Sequence, residues 1–180
     1  MPLSEFDYHL FMDTFLPLLH FTAIRHGLID PKTSFISFVK NRDFKLKFEC
    51  RQKLYQDPDL LKGYMDKNSS HLSIDQKAIL SGINKRISGK FIIYKLLSNR
   101  AIFVDMNNIF YSVHDLSDPF DSMIEDVPCL VEATILPFQK RIIYDGFTQP
   151  YGVTLGPNLL KSYRENYKAA KEKGQIRTEL

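Results

Sequence analysis

Near residue 89 the apolar residues change their period, and that change limits the folds open to this chain. Before it, Phe6, Leu10, Phe11, Phe15, Leu18 and Leu19 recur mostly at spacings of three and four, as on one face of a helix. After it come three short β-type runs, at 91–97, 101–105 and 109–113. They are separated only by Ser98-Asn99-Arg100 and Met106-Asn107-Asn108. Connections of turn length join antiparallel strands, whereas a parallel pair needs a crossover of about a dozen residues or more. A meander is therefore expected, and a βαβ fold is excluded over this stretch.

Helix signals fill the first part. Ser4 is a candidate N-cap with Asp7 in the first turn, and Gly27 stops the helix near His26. Pro17 inside it predicts a kink or break near Phe15-Leu16. Residues 28–33 read as a turn, and 34–39 fit either an extended run or a short helical turn. A helix is expected over 43–56, and Asp57-Pro58 opens another, with proline in the first helical position. Ser73-Ile74-Asp75-Gln76 is a capping box, and the helix it opens runs through Ile79, Leu80, Ile83 and Ile87 to end near Gly89.

Past the meander, residues 115–128 form an acidic connection with room for one helical turn after Pro119. Strands resume at 129–135 and 141–145, with a further candidate at 151–155. An amphipathic helix over 158–173 carries Leu159, Leu160, Tyr163, Tyr167 and Ala170 on one side. The expected fold class is α+β: N-terminal helices (1–88) packed on a C-terminal small antiparallel β-barrel-like sheet with a closing C-terminal helix (89–180). A composition of 14 Phe and 9 Tyr without Trp supplies enough large apolar side chains for such a core.

Charge is segregated along the chain. Residues 1–100 carry 16 Lys/Arg against 10 Asp/Glu, residues 101–139 carry seven acids and no Lys or Arg, and residues 140–180 carry eight basic and four acidic groups. The net +3 is too small to argue for nucleic acid by itself. Two cysteines without CxxC spacing point to a reducing, cytoplasmic setting, and the acidic start of the chain does not resemble a secretory leader. No apolar run reaches the ~18 residues of a membrane span, so no membrane partner is expected.

Most catalytic signatures are missing. Neither GxGxxG, GxxxxGK[ST] nor GxSxG occurs. His20 and His26 are off register for one helical face, and the pair His9 and Asp13 is too small a set for a metal, so no metal or cofactor is expected. Cys50 has basic neighbours, Lys45, Lys47, Arg51 and Lys53, but reads better as a buried thiol than as a nucleophile served by His71 or His114. Cys129 lies in a strand-like run. Asp118, Asp121, Glu125 and Asp126 lack the spacing and central glycine of a calcium loop.

The segment 135–147 is the best-specified part of the chain. Two apolar runs flank Gln139-Lys140-Arg141, and the second ends in Asp145-Gly146, a turn signal. A tight hairpin is expected there. Lys140 and Arg141 would project from it, with Tyr144, Phe147 and Tyr151 close by, and the mixture of cations and rings matches single-strand nucleic-acid platforms on small barrels. The simpler expectation has the rings in the core and the cations exposed at the turn.

The run Leu136-Pro137-Phe138-x-x-Arg141-Ile142-Ile143-Tyr144-Asp145-Gly146 resembles the hallmark of a bacterial protein family whose members read LPF-K-x-[KR]-I-I-Y-D-G. The similarity extends to the helix start at Leu72-Ser73, to Gly89–Lys95, to Tyr151–Gly156, to Tyr167–Ala170 and to Ile176–Leu180, and Gln139 and Phe147 depart mildly from it. The resemblance implies a bacterial, cytoplasmic, stand-alone protein and brings no activity or catalytic residues. The expected function is a non-catalytic binding module acting through the barrel face at Lys140, Arg141, Tyr144 and Asp145. Its partner would be a protein or a nucleic acid, and a homodimer is open. The alternative is a small enzyme with a pocket between helical part and barrel, using Asp145, Tyr144 or His114. A cleft holding a carboxyl group of raised pKa beside a histidine would favour that alternative.

Overall fold

Seven helices and five strands make up the described chain. The computed structural model describes residues 3–180, in the order α1 (Glu5–Arg25), α2 (Phe35–Lys40), α3 (Phe44–Gln56), α4 (Pro58–Asn68), α5 (Ile74–Ile83), β1 (Ile87–Leu97), β2 (Arg100–Asp105), β3 (Phe110–His114), α6 (Phe120–Met123), β4 (Cys129–Phe138), β5 (Arg141–Pro150) and α7 (Pro157–Glu172). It divides into two compact units: residues 3–8 with Gly82–Leu180, and His9–Ser81. The single boundary expected at 88/89 leaves the first few residues with the helices, whereas here they group with the strands.

At the start of α1 in the strand unit, and throughout the helical unit, the caps do what the sequence asks. The Ser4 hydroxyl accepts from the Asp7 N–H at 3.0 Å. At the other end of α1, Gly27 has φ 65° and the Leu28 N–H reaches back to the Ala23 carbonyl, closing the helix with a left-handed cap. Asp43 caps α3 and Asp57 caps α4. Ser73 and Gln76 exchange hydrogen bonds at 3.0 and 3.2 Å, so the capping box at α5 is real. Helix α1 runs unbroken through Pro17. Residues left open between strand and helix form the short helix α2, capped by Ser34. Buried within this unit are Phe15, Leu18, Leu19, Phe38, Cys50, Leu54, Leu61 and Leu80.

The other unit is a five-stranded sheet that closes in a ring, with strand order β1-β2-β3-β5-β4 and β4 pairing back to β1. All pairings are antiparallel except β3 with β5, a short parallel contact at Val113↔Ile142 and His114↔Ile143. The rest of that β3 edge is taken by the C-terminal segment: Ser112 donates to Arg177 O and Arg177 donates to Phe110 O, both at 2.8 Å. The class is α+β, as the change of period requires.

Alternation explains why the strand sequences are apolar nearly throughout. One face carries Phe91, Phe103 and Tyr111, with ring centroids 5.8 and 6.2 Å apart from Phe91, and continues through Phe120 of α6 to Tyr144 of β5. The opposite face carries Ile92, Ile102, Val104 and Phe110, which α7 covers with Tyr163, Tyr167 and Ala170. Both faces are buried, so the strands show no polar side. Leu159 of α7 points outward, 43% exposed, rather than joining that stripe.

Three further expectations need correction. Helix α5 ends at Ile83, and Gly89 lies within β1, because Ile87–Ile93 pair with β4 residue by residue. Asp145-Gly146 is not a turn: β5 continues to Pro150, and Gly146 (φ 88°) takes a conformation closed to most residues inside the strand, near a register shift between Ala133 and Ile135. The hairpin turn is Gln139-Lys140, within the polar segment where it was expected, with Gln139 at φ 53°. Residues 151–155 form no strand: the Tyr151 N–H still donates to Leu130 O at 3.0 Å, and pairing with β4 stops there.

Candidate functional site

An open cleft of about 800 Å³ lies at one end of the ring, its described lining drawn entirely from the ring unit. Ser4, Asp7 and Tyr8 border it from the start of α1, Asn99 from the β1–β2 turn, and Arg141 from the start of β5. His114 ends β3 on its wall, and Ser117 follows in the acidic connection. The residues meet here because the backbone ties the segments together. The Leu3 N–H donates to the carbonyls of Asp115 and Leu116, and the Asp115 N–H donates to Asn99 O.

The polar anchor of the cleft is Asp7. Its carboxylate accepts from Gln139 Nε2 at 3.0 Å and lies 3.7 Å from the Arg141 guanidinium. Asp7 is nearly buried while Arg141 is 38% exposed. The pair holds guanidinium nitrogen Nη1 beside Asp7, while the side chain keeps over a third of its surface exposed where it borders the cleft, and a guanidinium can offer further donors to a carboxylate. Burial lowers the His114 pKa, and the positive charges of Arg141 and Arg100 lower it further, so the ring enters the neutral range as a neutral donor or acceptor.

Beneath this wall is a set of buried oxygens. Asp115 is 1% exposed, and its Oδ1 has no hydrogen-bond partner. Burial pushes its carboxyl up to about 6, the Phe120 N–H opposes that shift, and Asp121 adds to it. Tyr144 donates to Met123 Sδ at 3.7 Å, and burial, then the charges of Asp118, Asp115 and Asp145, raise its phenol. Asp145 is buried at 2% and accepts from the Phe147 N–H at 3.1 Å.

The four residues singled out from the sequence are thus separated by burial. Lys140 is exposed at the hairpin turn, and Arg141 lies on the cleft. Tyr144 and Asp145 are core residues, and Phe147 is also buried, so these rings present no stacking platform to solvent. Asp7, Asn99 and Ser117 carried no sequence signal, being up to 134 positions from Arg141 and gathered only by ring closure. Cys50 is fully buried on α3 and burial, with Glu49, pushes its thiol up to about 11, the state of an unreactive thiol. Among the described residues, no group of three or more His, Cys, Asp or Glu is placed to hold a metal ion, and no helix is long and apolar enough to cross a membrane.

No family model, curated protein or solved structure matches the chain. What the cleft can do has to be argued from its own chemistry.

Proposed function

We propose that the protein is a non-catalytic binding module, bacterial and cytoplasmic, whose ring-end cleft takes a carboxylate-bearing segment of a protein partner. The observation that carries this reading is Arg141, fixed by Asp7 yet open on the cleft side, beside His114 and Asn99. A cleft of about 800 Å³ is in the usual size range for a small ligand or the end of a peptide. A nucleic-acid partner fits less well. Tyr144 and Phe147 are buried, so they offer no rings for bases to stack on.

Catalysis is the second reading, favoured by Asp115, whose carboxyl is pushed up to about 6 and which follows His114 in the chain. His114 borders the cleft, but Asp115 is buried and turned to the Phe120 N–H, so the two do not converge on one point in solvent. A binding role needs only the wall that is already exposed.

The test is affinity capture from the native cell extract with the wild-type chain and with Arg141→Ala. A partner retained by the first and lost by the second supports the reading, while an unchanged set of captured proteins counts against it. Single-stranded nucleic acid at low salt should show no measurable binding, and a steep salt-dependent affinity would replace the protein partner by a nucleic acid.

A further inference from the structure

We propose that the face formed by α2 and the start of α3 docks on an anionic lipid surface. This goes beyond the cleft and lies in the other unit, so neither reading depends on the other. On α2, Phe35, Ile36 and Val39 follow the i, i+1, i+4 spacing of one helical face, and they are 39%, 65% and 36% exposed. Phe38, a turn on from Phe35, is buried, and the His20 ring lies 5.3 Å from it and 5.8 Å from Phe35, so Phe35 borders the buried side of this face. Phe44, 55% exposed, opens α3 close by, because Lys47 one turn further on donates from Nζ to Val39 O at 3.1 Å. Four large apolar side chains are therefore presented to water over a short stretch of chain.

The charges around them are of one sign. Residues 31–47 contain five Lys or Arg and a single acid, Asp43. The Asp43 carboxylate is engaged as the α3 N-cap, accepting from the N–H groups of Lys45 and Leu46. Lys40 ends α2, Arg42 sits in the α2–α3 connection and Lys45 follows Phe44, all exposed. Apolar side chains flanked by cations match a bilayer interface with negative headgroups: the rings and aliphatic groups enter the acyl boundary while the cations stay at headgroup level. A nucleic acid would leave Ile36 and Val39 without a role, since stacking needs flat rings. Such a contact lies on the membrane surface and needs no spanning segment.

The experiment is co-sedimentation of the full chain with vesicles of phosphatidylcholine alone and with about 30% phosphatidylglycerol added. Association with the anionic vesicles only is expected, weakened strongly between about 50 and 500 mM salt. Phe35→Ser with Ile36→Ser should reduce it at least about tenfold at unchanged far-ultraviolet dichroism, and Lys40→Glu with Arg42→Glu should do the same while leaving the apolar groups in place. No association with anionic vesicles overturns the proposal and leaves an acidic protein surface as the partner of this face. Equal association with neutral vesicles, or full retention in both double variants, overturns it as well.

Discussion

The two units are built by different physics. In the helical unit, order is set locally: Asp43, Asp57 and the Ser73–Gln76 pair each satisfy backbone donors within three residues of themselves. In the ring unit, order is set at a distance. Its closure joins β1 to β4, and its core links Phe91, Phe103, Phe120 and Tyr144 across four elements. A cap lost from the first should loosen one helix, whereas a ring lost from the second should weaken every strand it touches. The same contrast places the chemistry: a cleft lined by remote residues arises in the unit that is assembled from remote residues.

The largest expected effect tests the ring core. Phe138→Ala removes a side chain 1% exposed and should cost about 3–5 kcal/mol in urea unfolding; a loss under about 1 kcal/mol would mean the ring is not held from within. Next comes Asp115. Its folded pKa, about 6, lies above the ordinary carboxyl value, so the protonated form is the one the fold favours. Stability should be fully present below the ordinary value and fall as the pH rises through about 6, by up to about 2 kcal/mol, while Asp115→Asn flattens that fall. A pH profile identical in the variant would remove Asp115 from the account.

Smaller effects sharpen the contrast from the helical side. Asp57→Ala should cost about 1 kcal/mol through the lost α4 cap, with amide exchange faster in Pro58–Asn68 and unchanged in the strands. Acceleration spread over β1 to β5 would show that the two units do not respond separately. Smallest of all are the hairpin cations. Arg141→Ala should shift stability by less than about 1 kcal/mol, since its partner is an ion pair open to solvent on one side, and Lys140→Ala by less than about 0.5 kcal/mol.

What could be read from the sequence follows the same division. Caps are local, so Ser4, Asp57 and the Ser73–Gln76 box were legible at once, and the turn-length gaps made the β1–β2–β3 meander legible too. Ring closure was not. Asp145-Gly146 carries the composition of a turn, yet Gly146 uses its positive φ inside β5, where the closing sheet bends. The parallel contact of β3 with β5 and the seating of Arg177 beside β3 have no periodic signature either. Of the four candidate residues, Tyr144 is in the core as the simpler expectation had it, while Asp145 went with the bend. The cleft partners Asp7, Asn99 and Ser117 could be found only in three dimensions.

The cleft is the central claim, and amide chemical-shift mapping of the full chain tests it most directly. The probe is a short acetylated peptide ending in a free carboxylate, with its C-terminally amidated form as control. Shifts from the free-carboxylate peptide should concentrate at Asn99, His114, Ser117 and Arg141 and fade in Arg141→Ala. Equal shifts from the amidated peptide, or shifts located away from these residues, would contradict a carboxylate site at the end of the ring.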